Sequence, residues 1–135
     1  MGEKNTLNMS EYSLKGTLLE RMNITLTELS AVHAAGSMPV EGNTQPMGLL
    51  HGGASVVLAE TLGSIAAQMH AGEGKAAVGI EINATHHASA RSGMVYGEAR
   101  AIHLGRTTAS YEVLITDDSG KRLCTSRITC MIISR

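Results

Sequence analysis

Phenylalanine and tryptophan are absent from this 135-residue chain, and Tyr12, Tyr96 and Tyr111 are its only aromatic residues. A core must therefore be assembled from Val, Ile, Leu, Ala and the eight Met residues. Binding of nucleic acid by successive base stacking needs aromatic platforms and is excluded. An excess of positive charge is missing as well. The formal net charge is -1 and the Lys and Arg residues are scattered, so there is no basic stripe for a phosphate backbone. No apolar run approaches the roughly 18 residues expected of a membrane span. Met1 to Lys15 is polar and lacks the apolar block of a signal peptide. Cysteine is sparse. Cys124 and Cys130 fall in one predicted strand, about 20 Å apart along an extended chain, too far to bridge each other there. The cytoplasm is the expected compartment, and the Asn-x-Ser/Thr triplets at Asn8, Asn23 and Asn83 then carry no glycosylation meaning.

The length suits one domain with its own core. Residues 1–22 read as an N-terminal segment, partly disordered or a short helix: 1–15 look loosely ordered, and Leu18 to Met22 suits a short helix or turn. A single domain follows over 23–135. Asn23 to Glu28 reads as a strand, and Ala31 to Val40 as its hairpin partner, ended by Pro39. The loop from Glu41 to Pro46 has strong turn chemistry. A long helix is predicted from near Gly53 to Gly72. The period then changes from helix to strand. Ala76–Ala84, Met94–Leu104, Thr107–Thr116 and Arg122–Ile133 all read as strands, with turns at Ser92-Gly93, Leu104-Gly105 and Asp117-Asp118-Ser119-Gly120. Two strands, a long helix and four antiparallel strands imply an α+β fold with the sheet wrapped around one helix.

The helix carries one charge. No other Asp, Glu, Lys or Arg lies between Glu41 and Glu73, yet Glu60 sits in the middle of this apolar stretch. A helix apolar on most sides is normally buried, and an unpaired buried carboxylate is costly. Glu60, Ser64 and Gln68 recur at i, i+4 and i+8, so they form one polar strip. That strip is either a solvated face or a carboxylate and hydroxyl held for chemistry, and periodicity leaves both open. Partial burial would suit such a carboxylate to proton transfer. At the helix start, His51-Gly52-Gly53 would present free amide hydrogens to a developing negative charge, as an oxyanion site requires. An ordinary glycine-rich helix start is the alternative. Gly52 and Glu60 are separated by roughly 12 Å along a helix, whereas groups acting on one carbonyl must lie about 3 Å from it. If both act, they act from two chains on one substrate.

These residues carry a resemblance. Gln45-Pro-Met-Gly-Leu-Leu-His51-Gly-Gly, followed by Glu60, resembles the hotdog-fold acyl-CoA thioesterases, in the branch acting on 4-hydroxybenzoyl-CoA and 1,4-dihydroxy-2-naphthoyl-CoA. The similarity continues through Val78-Gly-Ile-Glu-Ile-Asn83-Ala-Thr-His86, Ser89-Ala-Arg91-Ser-Gly93, His103-Leu-Gly105 and Thr125-Ser-Arg127. It implies a hotdog fold and hydrolysis of an acyl-CoA, an aryl-CoA in that branch, without metal or cofactor; CoA enters only as part of the substrate. It implies a homodimer or tetramer with active sites at the subunit interface. Glu60 would be the catalytic nucleophile or base. Gly52 N–H would polarise the thioester carbonyl, assisted by Gln45 and His51 across the interface, and Ser64 would stand near the attacking group. CoA contacts are implied for His86, Arg91, His103, Gly105 and Arg106, where both arginines could pair with phosphates. Ala88 stands where relatives can carry a basic residue.

The remaining readings differ in chemistry. Six histidines do not make a metal site here, because no pair falls at ligand spacing on a helix and no Cys cluster accompanies them. A hotdog-fold hydratase would need an Asp-His pair in the cleft. A non-catalytic acyl-CoA-binding module would need no carboxylate beside the thioester. His86 and His87 are adjacent in an extended segment and point to opposite faces, so at most one lines the cleft. With Phe and Trp absent, Met47 and Met69 are expected to help form the acyl pocket.

Overall fold

The computed structural model describes residues 13–135. Its elements are α1 (Leu18–Arg21), β1 (Thr25–Leu29), β2 (His33–Pro39), α2 (Gly52–Ala71), β3 (Lys75–His86), β4 (Met94–Leu104), β5 (Thr108–Asp117) and β6 (Arg122–Ser134). The six strands form one sheet in the order β1-β2-β4-β5-β6-β3, antiparallel throughout. It is the hotdog arrangement, with α2 packed against five of the strands. Among the described residues no helix is long and apolar enough to cross a membrane.

Strand alternation places the core. On β5, Ala109, Tyr111, Val113 and Ile115 are fully buried, while Ser110, Glu112 and Leu114 face outward. Ala34 and Met38 of β2, Val95 and Ala99 of β4 and Ile128 of β6 join them beneath Leu58, Ala59, Leu62 and Ala66 of α2. The helix can come this close because it is lined with small residues. A β-carbon at Gly63 would stand 2.3 Å from Ile128 Cγ2, so the contact between helix and sheet requires glycine there. Among the described residues Tyr111 is the one aromatic in the core, and its hydroxyl donates to Ala31 O at 2.6 Å. Burial pushes that phenol well above its ordinary value.

Several boundaries differ from the sequence reading, each for a local reason. Asn23 adopts φ 58 and so cannot begin a strand; β1 starts at Thr25. Ser30 brackets the turn before β2 by bonding His33 O with both its amide and its hydroxyl, which delays β2 to His33. Thr17 caps α1 by accepting from Glu20 N–H. The reading of residues 1–12 as loosely ordered falls outside the described residues. The sequence reading left the strand pairing after α2 open. β3 and β4 are consecutive in sequence, yet β3 pairs with β6 at one edge and β4 lies between β2 and β5.

Candidate active site

Helix α2 begins where His51 Nδ1 accepts the Gly53 amide at 2.8 Å. That bond leaves the other ring nitrogen to carry the proton in the neutral imidazole. Gly52 is the first helical residue, so its N–H has no acceptor within the helix. The His86 imidazole lies directly against it: a β-carbon at Gly52 would be 3.0 Å from His86 Nε2. A side chain at residue 52 would force that ring to give by a few tenths of an ångström. Gln45 is fixed from its own turn, its Oε1 accepting from Met47 N–H at 2.5 Å and Leu49 N–H at 3.4 Å. With the oxygen engaged, the amide nitrogen is the end of Gln45 left for a ligand. Gln45, Gly52, Ser55 and His86 line one cavity of about 270 Å³. His87 points elsewhere and bonds Thr125 Oγ1 at 2.9 Å, as strand alternation required.

Two members of the polar strip of α2 are turned to the sheet, Gln68 to β3 and Ser64 to β6. Gln68 donates to Lys75 O and accepts from Ala77 N–H, each at 3.0 Å. Ser64 Oγ lies 4.0 Å from Cys130 Sγ. Burial first, and then the Glu60 charge, push the Cys130 thiol above its ordinary value, and the Ser64 hydroxyl pulls it the other way. The thiol therefore stays protonated under a carboxylate. Glu60 itself lies over β3, where a β-carbon at Gly79 would be 3.1 Å from Oε2. It is exposed in the single chain, so the burial expected for it is not supplied by this chain alone.

Glu60 opens onto a second cavity of about 400 Å³, walled by Leu14, Leu18 and Leu19 on one side and by Val57 and Ile65 of α2 on the other. Thr17, Thr61 and Ser64 supply hydroxyls, and among the described residues Glu60 is the one charged residue in its lining. Within one chain Met47 and Met69, expected at the acyl pocket, do not line this cavity, and Met47 is 78% exposed. The short helix expected over Leu18 to Met22 is α1, opened by the Thr17-x-x-Glu20 pattern of a helix N-terminus, but its place beside Glu60 was not foreseen, nor were Thr61, Ser55 and Gly79.

The two cavities share no lining residue, so within one chain Glu60 and Ser64 stand apart from Gln45, His51 and Gly52. The residues assigned to CoA are also spread. His103 and Gly105 lie at the β4–β5 hairpin, tied to the end of α2 by a 2.7 Å bond between His70 Nε2 and Gly105 O. Arg106 is exposed at the tip of that hairpin. Arg91 lines a separate open groove with Glu41 and Thr44. A carboxylate at a mainly apolar cavity, and a helix-start amide beside a carboxamide whose nitrogen is left to donate, are the parts of an acyl-transfer site, presented on different surfaces of one subunit.

Comparison with known proteins gives these parts a context. The Thioesterase superfamily model matches residues 47–124. The chain is 45% identical over 129 residues to the proofreading thioesterase EntH of Klebsiella pneumoniae, covering 95% of this chain and 94% of that protein. Among solved structures, a thioesterase from Haemophilus influenzae superposes with a TM-score of 0.91 at 35% identity, covering 97% of this chain and 94% of that one. A mutant thioesterase from Pseudomonas aeruginosa gives 0.91 at 38% identity, with 96% of both chains covered.

Proposed function

The chain belongs to the thioesterase superfamily and is a thioester hydrolase, and we propose that its substrate is an acyl-CoA, an aryl-CoA foremost, cleaved at a site built by two copies. The observation that carries this reading is Glu60, the sole charge among the described residues lining a mainly apolar cavity sized for a modest acyl group. Water held by Glu60 loses a proton to the carboxylate as its oxygen bonds the thioester carbon. The carbonyl oxygen becomes an oxyanion facing Gly52 N–H and the Gln45 amide of the second copy, with His51 orienting the helix start. Collapse breaks the C–S bond, and CoA leaves as a thiolate that takes up a proton. Direct attack by Glu60, through an anhydride that water then opens, uses the same geometry. Ser64 sits one turn from Glu60, placed to bond the attacking group.

The second copy is supported by β3. It is an edge strand of twelve residues, with Val78 and Ile80 exposed at 41% and 52%. A long apolar edge left open is a template for pairing with another strand. Joining two such edges extends the sheet through both subunits, and the dimer can pair again into a tetramer. On this reading His86, Arg91, His103, Gly105 and Arg106 hold the CoA portion, and the enzyme works in the cytoplasm without metal or cofactor. The aliphatic cavity offers few directional contacts to an acyl group, which suits a tolerant enzyme. A proofreading role, like that in the name of the Klebsiella relative, would use such tolerance.

Thiol release from a panel of aryl and aliphatic acyl-CoAs by the purified protein tests the assignment. Turnover across several acyl groups, highest for aryl esters, is expected. No release from any CoA ester would remove CoA thioesters from the reading.

A further inference from the structure

The free edge of β3 is not open along its whole length. Gly74 O accepts from Arg135 N–H on the β6 side. By the alternation of an antiparallel strand, Lys75 and Ala77 therefore direct their amides and carbonyls to the outer edge. That is where Gln68 reaches over from α2 and takes Lys75 O and Ala77 N–H. Lys75 N–H is also used, on Gly72 O. Three of the four outward polar groups at the start of β3 are thus already occupied, leaving only Ala77 O for a neighbouring strand. The stretch from Val78 to His86 remains, and its midpoint is Ile82.

We infer that Gln68 is a register stop: it confines pairing with a second copy to residues 78–86 and so sets the two-fold axis at Ile82. The inference rests on the two-copy reading above and deepens it. Around an axis at Ile82, Glu81 of one copy faces Asn83 of the other, and because Ile80 is an extra residue in β3 the helix-face Gly79 then falls opposite Ala84. Glu60 lies over Gly79, and His86, two residues beyond Ala84 on the same face, lays its ring against Gly52. This register brings the carboxylate of one chain toward the helix-start amide of the other. A slip of two residues would carry them roughly 6–7 Å apart, and Gln68 prevents a slip toward Lys75. Gln68 touches no reacting atom; it is a positioning residue.

The register can be read by crosslinking. Glu81 and Asn83 lie opposite Thr129 and Arg127 on the outer face of the sheet. Directly opposed residues on paired strands have β-carbons about 4.5–5.5 Å apart, within disulfide reach. Chains carrying Glu81→Cys co-expressed with chains carrying Asn83→Cys should crosslink to each other in preference to themselves. Gln68→Leu added to both should keep the dimer mass while crosslink yield and kcat fall in the same proportion. Gln68→Glu, which keeps an acceptor for Ala77 N–H, should retain most of both; Gln68→Met replaces the leucine variant if that does not fold. A monomeric wild-type chain would overturn the two-copy reading and this inference with it. A wild-type dimer that fails to crosslink residues 81 and 83 would overturn the axis at Ile82. Unchanged crosslinking and kcat in Gln68→Leu or Gln68→Met would overturn the part given to Gln68 alone.

Discussion

The carboxylate of Glu60 rests on the backbone of Gly79, so close that a single methyl group at residue 79 would stand 3.1 Å from Oε2. Gly79 immediately precedes an irregularity in the pairing of β3 with β6, where the strand carries an extra residue between Gly79 and Glu81. The strand therefore leaves room for the acid at the point where its own ladder is interrupted. Gly79→Ala should push the carboxylate aside by a few tenths of an ångström. Misplacement of a reacting group costs about 100-fold per ångström, so kcat should fall roughly 3- to 10-fold with KM little changed. Circular dichroism and oligomer mass should match wild type. An alanine variant with full kcat would mean that the seat over Gly79 does not matter to turnover.

The two halves of the site should differ in how much they cost when removed. Glu60→Gln keeps size and hydrogen bonding but cannot take a proton or form an anhydride, so turnover should vanish while the dimer persists. Gln45→Ala removes one candidate donor to the oxyanion and should lower kcat by about 10- to 1000-fold. Steady-state thiol release measures both. A Glu60→Gln enzyme working at the normal rate would end the assignment, and an unchanged rate in Gln45→Ala would remove that side chain from the mechanism.

Much of this architecture was legible in the residues, and what was not has a physical reason. The long helix and the later strands announced themselves because their periods differ, 3.6 against 2, and because turn residues punctuate them. The strip of Glu60, Ser64 and Gln68 followed from helical spacing, but spacing does not say what a strip faces. Only the closing of β3 against β6 shows that Gln68 is spent on strand backbone and that Ser64 looks at Cys130. Strand neighbours were hidden for a similar reason. Nothing local tells β3 to leave its sequence neighbour β4 and pair with β6. The wall that the α1 leucines form beside Glu60 was hidden as well, because hydrophobicity indicates burial but not which cavity a side chain reaches.

Tyr111 gives a prediction about the fold rather than the site. Its ring is fully buried in the sheet, and its hydroxyl is the donor to Ala31 O in the turn between β1 and β2. Tyr111→Phe preserves the ring and leaves that carbonyl unpaired. The cost should be about 1–3 kcal/mol, the usual penalty for orphaning a buried acceptor. Urea denaturation should show a lower midpoint with the same slope. A midpoint equal to wild type would mean that water replaces the hydroxyl in that turn.

Acid should loosen the β1 end of the sheet before the core. His33 on β2 places one ring nitrogen against Glu28 of β1 and the other 2.9 Å from Glu98 of β4. The His33 hydrogen bond, with a smaller contribution from the Arg100 charge, holds the Glu98 carboxyl below its ordinary value although partial burial pulls it upward. A carboxyl depressed in the folded state is stabilising above its unfolded value, about 4.3 for Glu, and that stability is lost as pH falls through the lower folded value. The group is partly exposed, so the effect is modest and screened by salt. Thermal midpoints should therefore separate wild type from Glu98→Gln at pH 6 and converge as the pH is taken below about 4. The convergence should be clearer at low ionic strength. If the gap between the two proteins is as wide at pH 3 as at pH 6, the bond from His33 to Glu98 is not what ties β4 to this edge.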